Sequence, residues 1–129
     1  MAIVQTNLPV TSEICTETIQ KLAFAYPFLE AETLTSTAFG RPLYVIRMGE
    51  GDRHVIFTGA HHANEWITST LLLRFLEELA EAFRTGGKIY GVPAKNILRY
   101  TTVHLVPMVD PDGVDLVTGA VRGRTAPDR

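Results

Sequence analysis

Apolar residues recur at helical spacing in two stretches of the chain. The first follows Thr11, a residue type that caps helix N-termini, and stops at Pro27, which disfavours helix in the residue before it. The second starts near Ala63 or Asn64 and stops at Gly86-Gly87, since glycine commonly follows the last helical turn. The expected buried positions are Ile14, Thr18 or Ile19, Leu22 and Ala25 in the first stretch, and Leu72, Phe75, Leu76, Leu79 and Phe83 in the second. The pattern predicts two amphipathic helices, and the glutamates of the second should lie on a solvated face.

β-Branched and aromatic residues cluster in four shorter runs that turn residues separate. The runs cover residues 32–39, 43–48, 54–59 and about 101–109. Short turns join the first three runs, which predicts an antiparallel meander. The fourth run follows the long helix and a loop over 86–95, so it should lie parallel to the third run after a right-handed crossover. The predicted fold class is therefore α/β, a mixed β-sheet flanked by helices.

The composition is that of an ordinary globular protein, and it excludes several classes of function. The 129 residues are 46% hydrophobic and 20% charged, with a net charge of −2. Such a chain forms a single domain over 1–129, or part of a larger one. The sequence has no basic run of the kind that indicates a nucleic-acid partner. It also has no apolar run that approaches the roughly 18 residues of a membrane span. Cys15 alone cannot form an internal disulfide. The first residues lack the pattern of a secretory signal, so we expect a cytoplasmic protein.

The main candidate for chemistry is a His and a Glu three residues apart, at the predicted junction between a strand and the long helix. Imidazole nitrogen and carboxylate oxygen are both ligands of Zn²⁺. If the helix begins at Ala63 or Asn64, His62 and Glu65 share one helical face and can bind a single ion. A Glu in the first turn is also favoured by the helix dipole, so the pair can equally be local structure. Spacing alone leaves both interpretations open.

The remaining polar candidates have plain structural explanations. His104 lies within a strand and should be a packed or surface histidine, whereas His54 begins a strand and should be solvated. His61 neighbours the candidate pair, but adjacent residues of an extended chain point in opposite directions. Residues 110–113 have the composition of a turn, in which both aspartates can accept hydrogen bonds from the local backbone.

Three motifs, in order, resemble those of the zinc metallocarboxypeptidase family. The first is Tyr26-Pro27 followed by Gly40-Arg41-Pro42-Leu43, which is similar to the end of the family's opening helix and the entry to a strand. The second, residues 59–68, looks like the family's zinc motif H-x-x-E-W-I. The third, residues 106–114, resembles its N-P-D-G turn. Three motifs in the right order make the resemblance specific.

The resemblance covers residues 11–117 and leaves 118–129 as a divergent tail. It implies a partial zinc-carboxypeptidase fold, a peptide substrate, and Zn²⁺ as cofactor with His62 and Glu65 as two of its ligands. The H-A-N-E-W-I-T form of the zinc motif is closest to the bacterial branch that cleaves γ-D-glutamyl–diaminopimelate bonds in cell-wall peptides. Asn64 stands where animal digestive carboxypeptidases have an Arg that holds substrate, so it is a candidate substrate contact.

Other features of the family have no counterpart in this chain. Asp110 stands where the family usually has Asn. Family members are usually more than twice as long, and they carry an Asn-Arg pair, a third His ligand, a Tyr and a catalytic Glu that match no residue here. The resemblance therefore assigns no catalytic residue to this chain.

Three hypotheses remain open at this point. The chain can be the N-terminal half of a zinc peptidase, active as a longer chain or with a complementing C-terminal chain. It can be a non-catalytic, truncated module that folds and binds a partner or metal weakly. The His/Glu pair can also be local structure in an unrelated α/β protein. For a truncated peptidase domain, a strand that later strands normally cover would lie at the sheet edge, which predicts self-association or covering by a partner.

Overall fold

The computed structural model describes residues 2–120, which form six strands and four helices. In chain order they are α1 (Ser12–Ala25), β1 (Glu30–Ser36), β2 (Pro42–Met48), β3 (Arg53–Thr58), α2 (Trp66–Thr85), β4 (Lys88–Ile89), β5 (Val92–Pro93), α3 (Ala94–Tyr100), β6 (Thr101–Val106) and α4 (Pro111–Thr118). No helix within the described range is long and apolar enough to cross a membrane. Most of the tail expected over 118–129 lies outside the described residues.

Helix α1 forms where the apolar spacing predicts it. The Thr11 hydroxyl caps its start and accepts a hydrogen bond from the Ile14 N–H at 3.1 Å. The buried residues of the helix are Cys15, Thr18, Ile19 and Leu22. Ala25, which we expected in this stripe, is exposed, because the helix ends there and the next residue, Tyr26, is buried instead.

Helix α2 ends as predicted but differs from the prediction on one face. It stops at Gly86, whose φ of 73° lies in the left-handed region. Glu77 was expected on a solvated face, yet it is only 5% exposed. Its carboxylate accepts hydrogen bonds from the backbone N–H groups of Ile3 and Val4 and from the guanidinium of Arg74. The N-terminal segment therefore packs on α2 and covers this glutamate.

The four-stranded sheet has the order β1-β2-β6-β3. β6 is parallel to β3, as predicted. The predicted meander of the first three strands is wrong, because β6 lies between β2 and β3 and pairs with β2 in the antiparallel sense. The β2–β3 connection passes the start of β6 at very close range, where a Cβ on Gly51 would lie 1.9 Å from the carbonyl carbon of Tyr100. The short β2–β3 connection therefore crosses the start of β6 instead of closing a hairpin between β2 and β3.

The connection after α2 is more ordered than the loop that we predicted over 86–95. It forms the β4–β5 hairpin and helix α3, in which Ala94 and Leu98 are buried. Strands of two residues and a helix of seven are too short to produce a periodic pattern. The bounds of two longer strands also shift, since β1 ends before residue 37 and β6 ends before residue 107.

The core lies between the helices and one face of the sheet. It includes Ile46, Met48, Val103 and Leu105 of the sheet and Leu22, Leu73, Leu76, Leu79 and Leu98 of the helices. On β3, the Phe57 ring packs edge-on against Phe75 of α2, with centroids 5.6 Å apart. The mixed sheet is thus flanked by helices, as predicted. β3 forms one edge of the sheet, and Val55, Ile56 and Phe57 on it are exposed by 39%, 67% and 37%.

Candidate metal centre

The candidate pair lies in the connection between β3 and α2, at the carboxyl end of the two parallel strands. Hydrogen bonds continue past β3: the Gly59 N–H donates to the Val106 carbonyl at 3.0 Å, and the Val109 N–H donates to the Gly59 carbonyl at 2.9 Å. A Cβ on Gly59 would lie 2.9 Å from the Pro107 carbonyl oxygen. Ala60 then takes a left-handed conformation, with φ of 51°, and turns the chain. The connection is therefore fixed to the end of β6, where α/β sheets commonly hold ligands.

A tight turn, rather than a helical face, brings His62 and Glu65 together. The Glu65 N–H donates to the His62 carbonyl at 3.0 Å, which closes the turn. Helix α2 begins only at Trp66. The expected helix start at Ala63 or Asn64 is wrong, because these are the two central residues of the turn. The three-residue spacing still places both side chains on one side, since a closed turn returns the chain on itself.

The two side chains are in contact with each other and with solvent. Nδ1 of His62 lies 3.0 Å from Oε2 of Glu65, and the His62 backbone N–H donates to Oε1 at 3.4 Å. The side chains are 77% and 46% exposed. The hydrogen bond to Glu65 is the main cause that raises the pKa of His62, and the negative charge of Glu65 adds to it. The same hydrogen bond lowers the pKa of Glu65. With the imidazole protonated, the two groups form an exposed ion pair.

The separation of these two side chains suits a single metal ion. Two ligand atoms at about 2.0–2.2 Å from an ion, at right to tetrahedral angles, lie about 2.8–3.6 Å apart. Within residues 2–120, no third His, Cys, Asp or Glu joins them to form a larger metal-binding group. The charge of Asp110 also acts on His62, but its carboxylate accepts the Gly113 N–H at 3.0 Å. The described residues therefore provide two ligands, where structural and catalytic zinc sites use three or four.

The other predicted polar residues fall in three places. Asn64 is exposed on the same turn, between the two candidate ligands. The ring of His61 is bound to the Thr58 hydroxyl, 2.7 Å from its Nε2, although its charge also helps to lower the pKa of Glu65. His54 and His104 lie elsewhere on the sheet and contact each other, at 2.9 Å between Nδ1 and Nε2. Only His62, Asn64 and Glu65 are therefore brought together at the turn.

Residues 110–113 begin helix α4 instead of forming an isolated turn. The Asp110 side chain caps the helix, as a local backbone contact of the kind expected. Further along α4, Asp115 is 4% exposed and accepts hydrogen bonds from Ser12 and Arg41. Sequence analysis missed this network, because its three partners lie far apart in the chain. The Arg of the Gly-Arg-Pro motif was the only local indication of it.

Comparison with known proteins gives a family match. The model of a family described as zinc carboxypeptidase matches residues 15–126. A gamma-D-glutamyl-L-diamino acid endopeptidase of Lysinibacillus sphaericus is 37% identical over 99 residues, which cover 77% of this chain and 25% of that protein. A zinc carboxypeptidase of Saccharothrix mutabilis subsp. capreolus is 31% identical over 91 residues, which cover 64% of this chain and 20% of that protein. The chain thus spans about a quarter of the length of the curated relatives it matches.

Solved structures share the fold. Thrombin activatable fibrinolysis inhibitor matches with a TM-score of 0.75 and 20% identity, over 89% of this chain and 29% of that one. A metallo-carboxypeptidase from Burkholderia cenocepacia matches with a TM-score of 0.62 and 23% identity, over 82% of this chain and 28% of that one. At these identities the likeness establishes the architecture, a partial carboxypeptidase-type sheet with its helices.

Proposed function

The chain belongs to the zinc carboxypeptidase family, and on that premise we propose that it takes part in zinc-dependent peptide hydrolysis, with His62 and Glu65 as two zinc ligands. The observation that carries the proposal is the 3.0 Å contact between these side chains at the carboxyl end of β3. Family membership excludes an unrelated α/β protein, which was one of the three hypotheses.

Each residue at the turn has a separate role in this proposal. When bound, zinc supplies a Lewis acid that polarises the scissile carbonyl. Backbone hydrogen bonds fix the turn to the end of β6, so the backbone that carries the two ligands is already in place. Binding needs the neutral imidazole of His62, so the proton of the ion pair with Glu65 must leave. Asn64, exposed between the ligands, contacts the substrate.

The proposed substrate is a peptide of the cell-wall type. A relative at 37% identity is named as a gamma-D-glutamyl-L-diamino acid endopeptidase, and that name supports this class of substrate. The neutral Asn64 also supports it, because this position then offers hydrogen bonds instead of the positive charge that an Arg would bring. An amide both donates and accepts, and therefore suits a peptide backbone.

The described residues provide part of the catalytic site. Among residues 2–120, no third His, Cys, Asp or Glu completes the metal group, and we assign none as the base that moves a proton during hydrolysis. We propose that residues of a longer chain, or of a complementing chain, supply both. The exposed edge of β3 is where such a segment would add, because edge strands present unpaired N–H and C=O groups.

A second candidate function is a non-catalytic module that binds a metal or a partner weakly. The observation that favours it is the two-ligand site itself, since two ligands should hold zinc less tightly than three. The two candidates differ in one measurable respect. Only the first predicts hydrolysis once the missing groups are supplied.

The test measures zinc binding by isothermal titration calorimetry in the purified chain and in three variants. His62→Ala and Glu65→Ala should each weaken binding by at least about tenfold, which corresponds to 1.4 kcal/mol. His61→Ala is the matched control, since this exposed histidine is adjacent in sequence but its ring points toward Thr58. Equal zinc affinity in all four proteins would contradict the ligand assignment.

Hydrolysis is assayed in parallel with a synthetic γ-D-glutamyl–diaminopimelate peptide and with an ordinary α-linked peptide. The chain alone should bind zinc without cleaving either peptide. Cleavage of the γ-linked peptide should appear in a longer chain that carries the further residues. Zinc-dependent cleavage by the chain alone would contradict the proposal that residues of a longer or complementing chain supply the missing groups. Cleavage of the α-linked peptide alone would contradict the substrate class.

Self-association through β3 is tested by sedimentation velocity over a range of concentrations. The wild-type chain should form dimers or larger species, because apolar side chains and unpaired backbone lie together on this edge. Ile56 is the most exposed of the three apolar residues Val55, Ile56 and Phe57 on β3. Ile56→Lys places a charge there, and the variant should remain monomeric. A wild-type chain that is monomeric at high concentration would contradict the prediction.

A further inference from the structure

Two histidines contact each other on the sheet, away from the turn that holds His62. His54 lies on β3 and His104 on β6, with 2.9 Å between Nδ1 and Nε2 and 5.1 Å between ring centroids. The parallel register explains the contact: His104 pairs with Ile56 and Thr102 pairs with His54, so the histidines are diagonal neighbours on one face. His54 is the second residue of β3, at the other end of this strand from the candidate metal centre.

The two rings share a hydrogen bond in this structure, and the separation of their nitrogens is close to that of two nitrogens bound to one ion. Two imidazole nitrogens at adjacent corners of a square-planar ion, with bonds of about 2.0 Å, lie about 2.8 Å apart. Square-planar or tetragonal nitrogen sites are typical of Cu²⁺ and Ni²⁺. We propose that His54 and His104 form a second metal site, a two-histidine chelate for Cu²⁺ or Ni²⁺ whose other positions are filled by water.

The surroundings permit an ion at this place. His54 is exposed and His104 partly exposed, so water can reach the pair. Burial is the main cause that lowers the pKa of His104, and the charges of His54 and Arg47 lower it further. A lowered pKa favours the neutral, ligating form of the imidazole at neutral pH. Arg47 on β2 is the register partner of His104 and opposes a nearby cation, but its guanidinium is bound by the Glu32 carboxylate on β1 at 2.5 Å.

The proposed ion has a structural consequence. It would join β3, the edge strand, to β6, its only neighbour in the described sheet. A ligand that binds the folded form alone stabilises it in proportion to the logarithm of ligand concentration over Kd. Ni²⁺ or Cu²⁺ should therefore raise the Tm of the chain through these two histidines.

The experiment uses the full chain with His62→Ala as background, so that the candidate zinc site does not contribute. NiCl₂ and CuCl₂ are titrated by calorimetry into this protein and into versions that also carry His54→Ala or His104→Ala. The background protein should bind one ion, and each added substitution should weaken binding by at least about tenfold. The double variant His62→Ala/His61→Ala is the control and should bind as the background does. Equal affinity in the His54→Ala version would overturn the proposal.

Electron paramagnetic resonance of the Cu²⁺ form provides a second readout that does not depend on affinity. The nitrogen hyperfine pattern should indicate two imidazoles in the background protein and one after either substitution. Circular dichroism without metal checks that the variants fold, and His54→Gln replaces His54→Ala if that variant is unstable. A pattern of a single nitrogen in the background protein would overturn the chelate. Loss of zinc binding in the separate His62 experiment would have no bearing on this result.

Discussion

Asp115 is the buried carboxylate that joins three parts of the fold, and its removal is the perturbation that tests the packing most directly. Its oxygens accept hydrogen bonds from the Ser12 N–H at 2.7 Å, from the Ser12 hydroxyl at 2.5 Å and from Nε of Arg41 at 2.7 Å. These bonds tie α4 to the start of α1 and to the start of β2. Gly113 on α4 faces the turn of the candidate metal centre, since a Cβ there would lie 2.9 Å from the Cβ of Ala63. Asp115 thus supports the helix against which the turn packs.

The cost of Asp115→Ala follows from these contacts. Hydrogen bonds to a charged group contribute about 1.5–3 kcal/mol each, and removing one partner of a buried ion pair costs about 3–5 kcal/mol. The Arg41 side chain is 26% exposed and keeps its bond to Asp112, so water and the second carboxylate recover part of the loss. We therefore expect a loss near the lower limit, about 3 kcal/mol. For a domain of this size that lowers Tm by about 10 °C.

Urea denaturation followed by circular dichroism measures this loss as a shift of the midpoint at constant slope. Asp112→Ala is the matched control, because Asp112 also binds Arg41 but is 23% exposed in its side chain. That variant should lose about 1 kcal/mol or less, as exposed pairs do. Asp115→Asn should fall between the two, since it keeps the volume and part of the hydrogen bonding. Equal losses for Asp115→Ala and Asp112→Ala would refute the assignment of Asp115 as a buried node.

Predictions at three further residues concern the fold. Gly51→Ala should prevent folding, because a Cβ would lie 1.9 Å from the carbonyl carbon of Tyr100. If circular dichroism shows that the variant folds, the path described for the β2–β3 connection is wrong. Burial raises the pKa of the Cys15 thiol from 9.0 to about 12, so maleimide at pH 8 should label the unfolded chain and spare the native one. Because the unfolded thiol ionises first, stability should fall as pH rises from 9.0 toward 12, which urea midpoints across that range would check. Glu77→Ala should lower the free energy of unfolding by about 2–4 kcal/mol, since two backbone N–H groups lose their acceptor. The side chain of Glu78 is 56% exposed, so Glu78→Ala should change stability by less than about 0.5 kcal/mol in the same denaturation assay.

Much of the local structure was predictable because local rules determine it. The Thr11 cap and Pro27 place α1, and Gly86 places the end of α2, each through the conformation that the residue itself favours. The His62-x-x-Glu65 pair was found by its spacing, although a turn rather than a helix brings the side chains together. Their proximity was predictable because both conformations bring residues i and i+3 close.

The candidate site was predictable only in part. The sequence indicated Zn²⁺ ligands at His62 and Glu65 by resemblance, and both lie side by side with Asn64 between them. The contact between His54 and His104 was not predicted, because it depends on the register of two strands that are 50 residues apart. No local pattern carries that register.

The sequence by itself determined the two long helices, the four strands of the main sheet, the parallel pairing of β3 with β6 and the family of the chain. Each of these depends on spacing, capping residues or contiguous motifs. Tertiary structure alone decided that β6 lies between β2 and β3, that Glu77 and Asp115 are buried, and that β3 forms an exposed edge. These features depend on which surfaces meet when distant segments pack. The burial of a carboxylate and the exposure of a strand edge therefore arise only when the chain folds. The residues concerned follow no distinguishing pattern along the sequence.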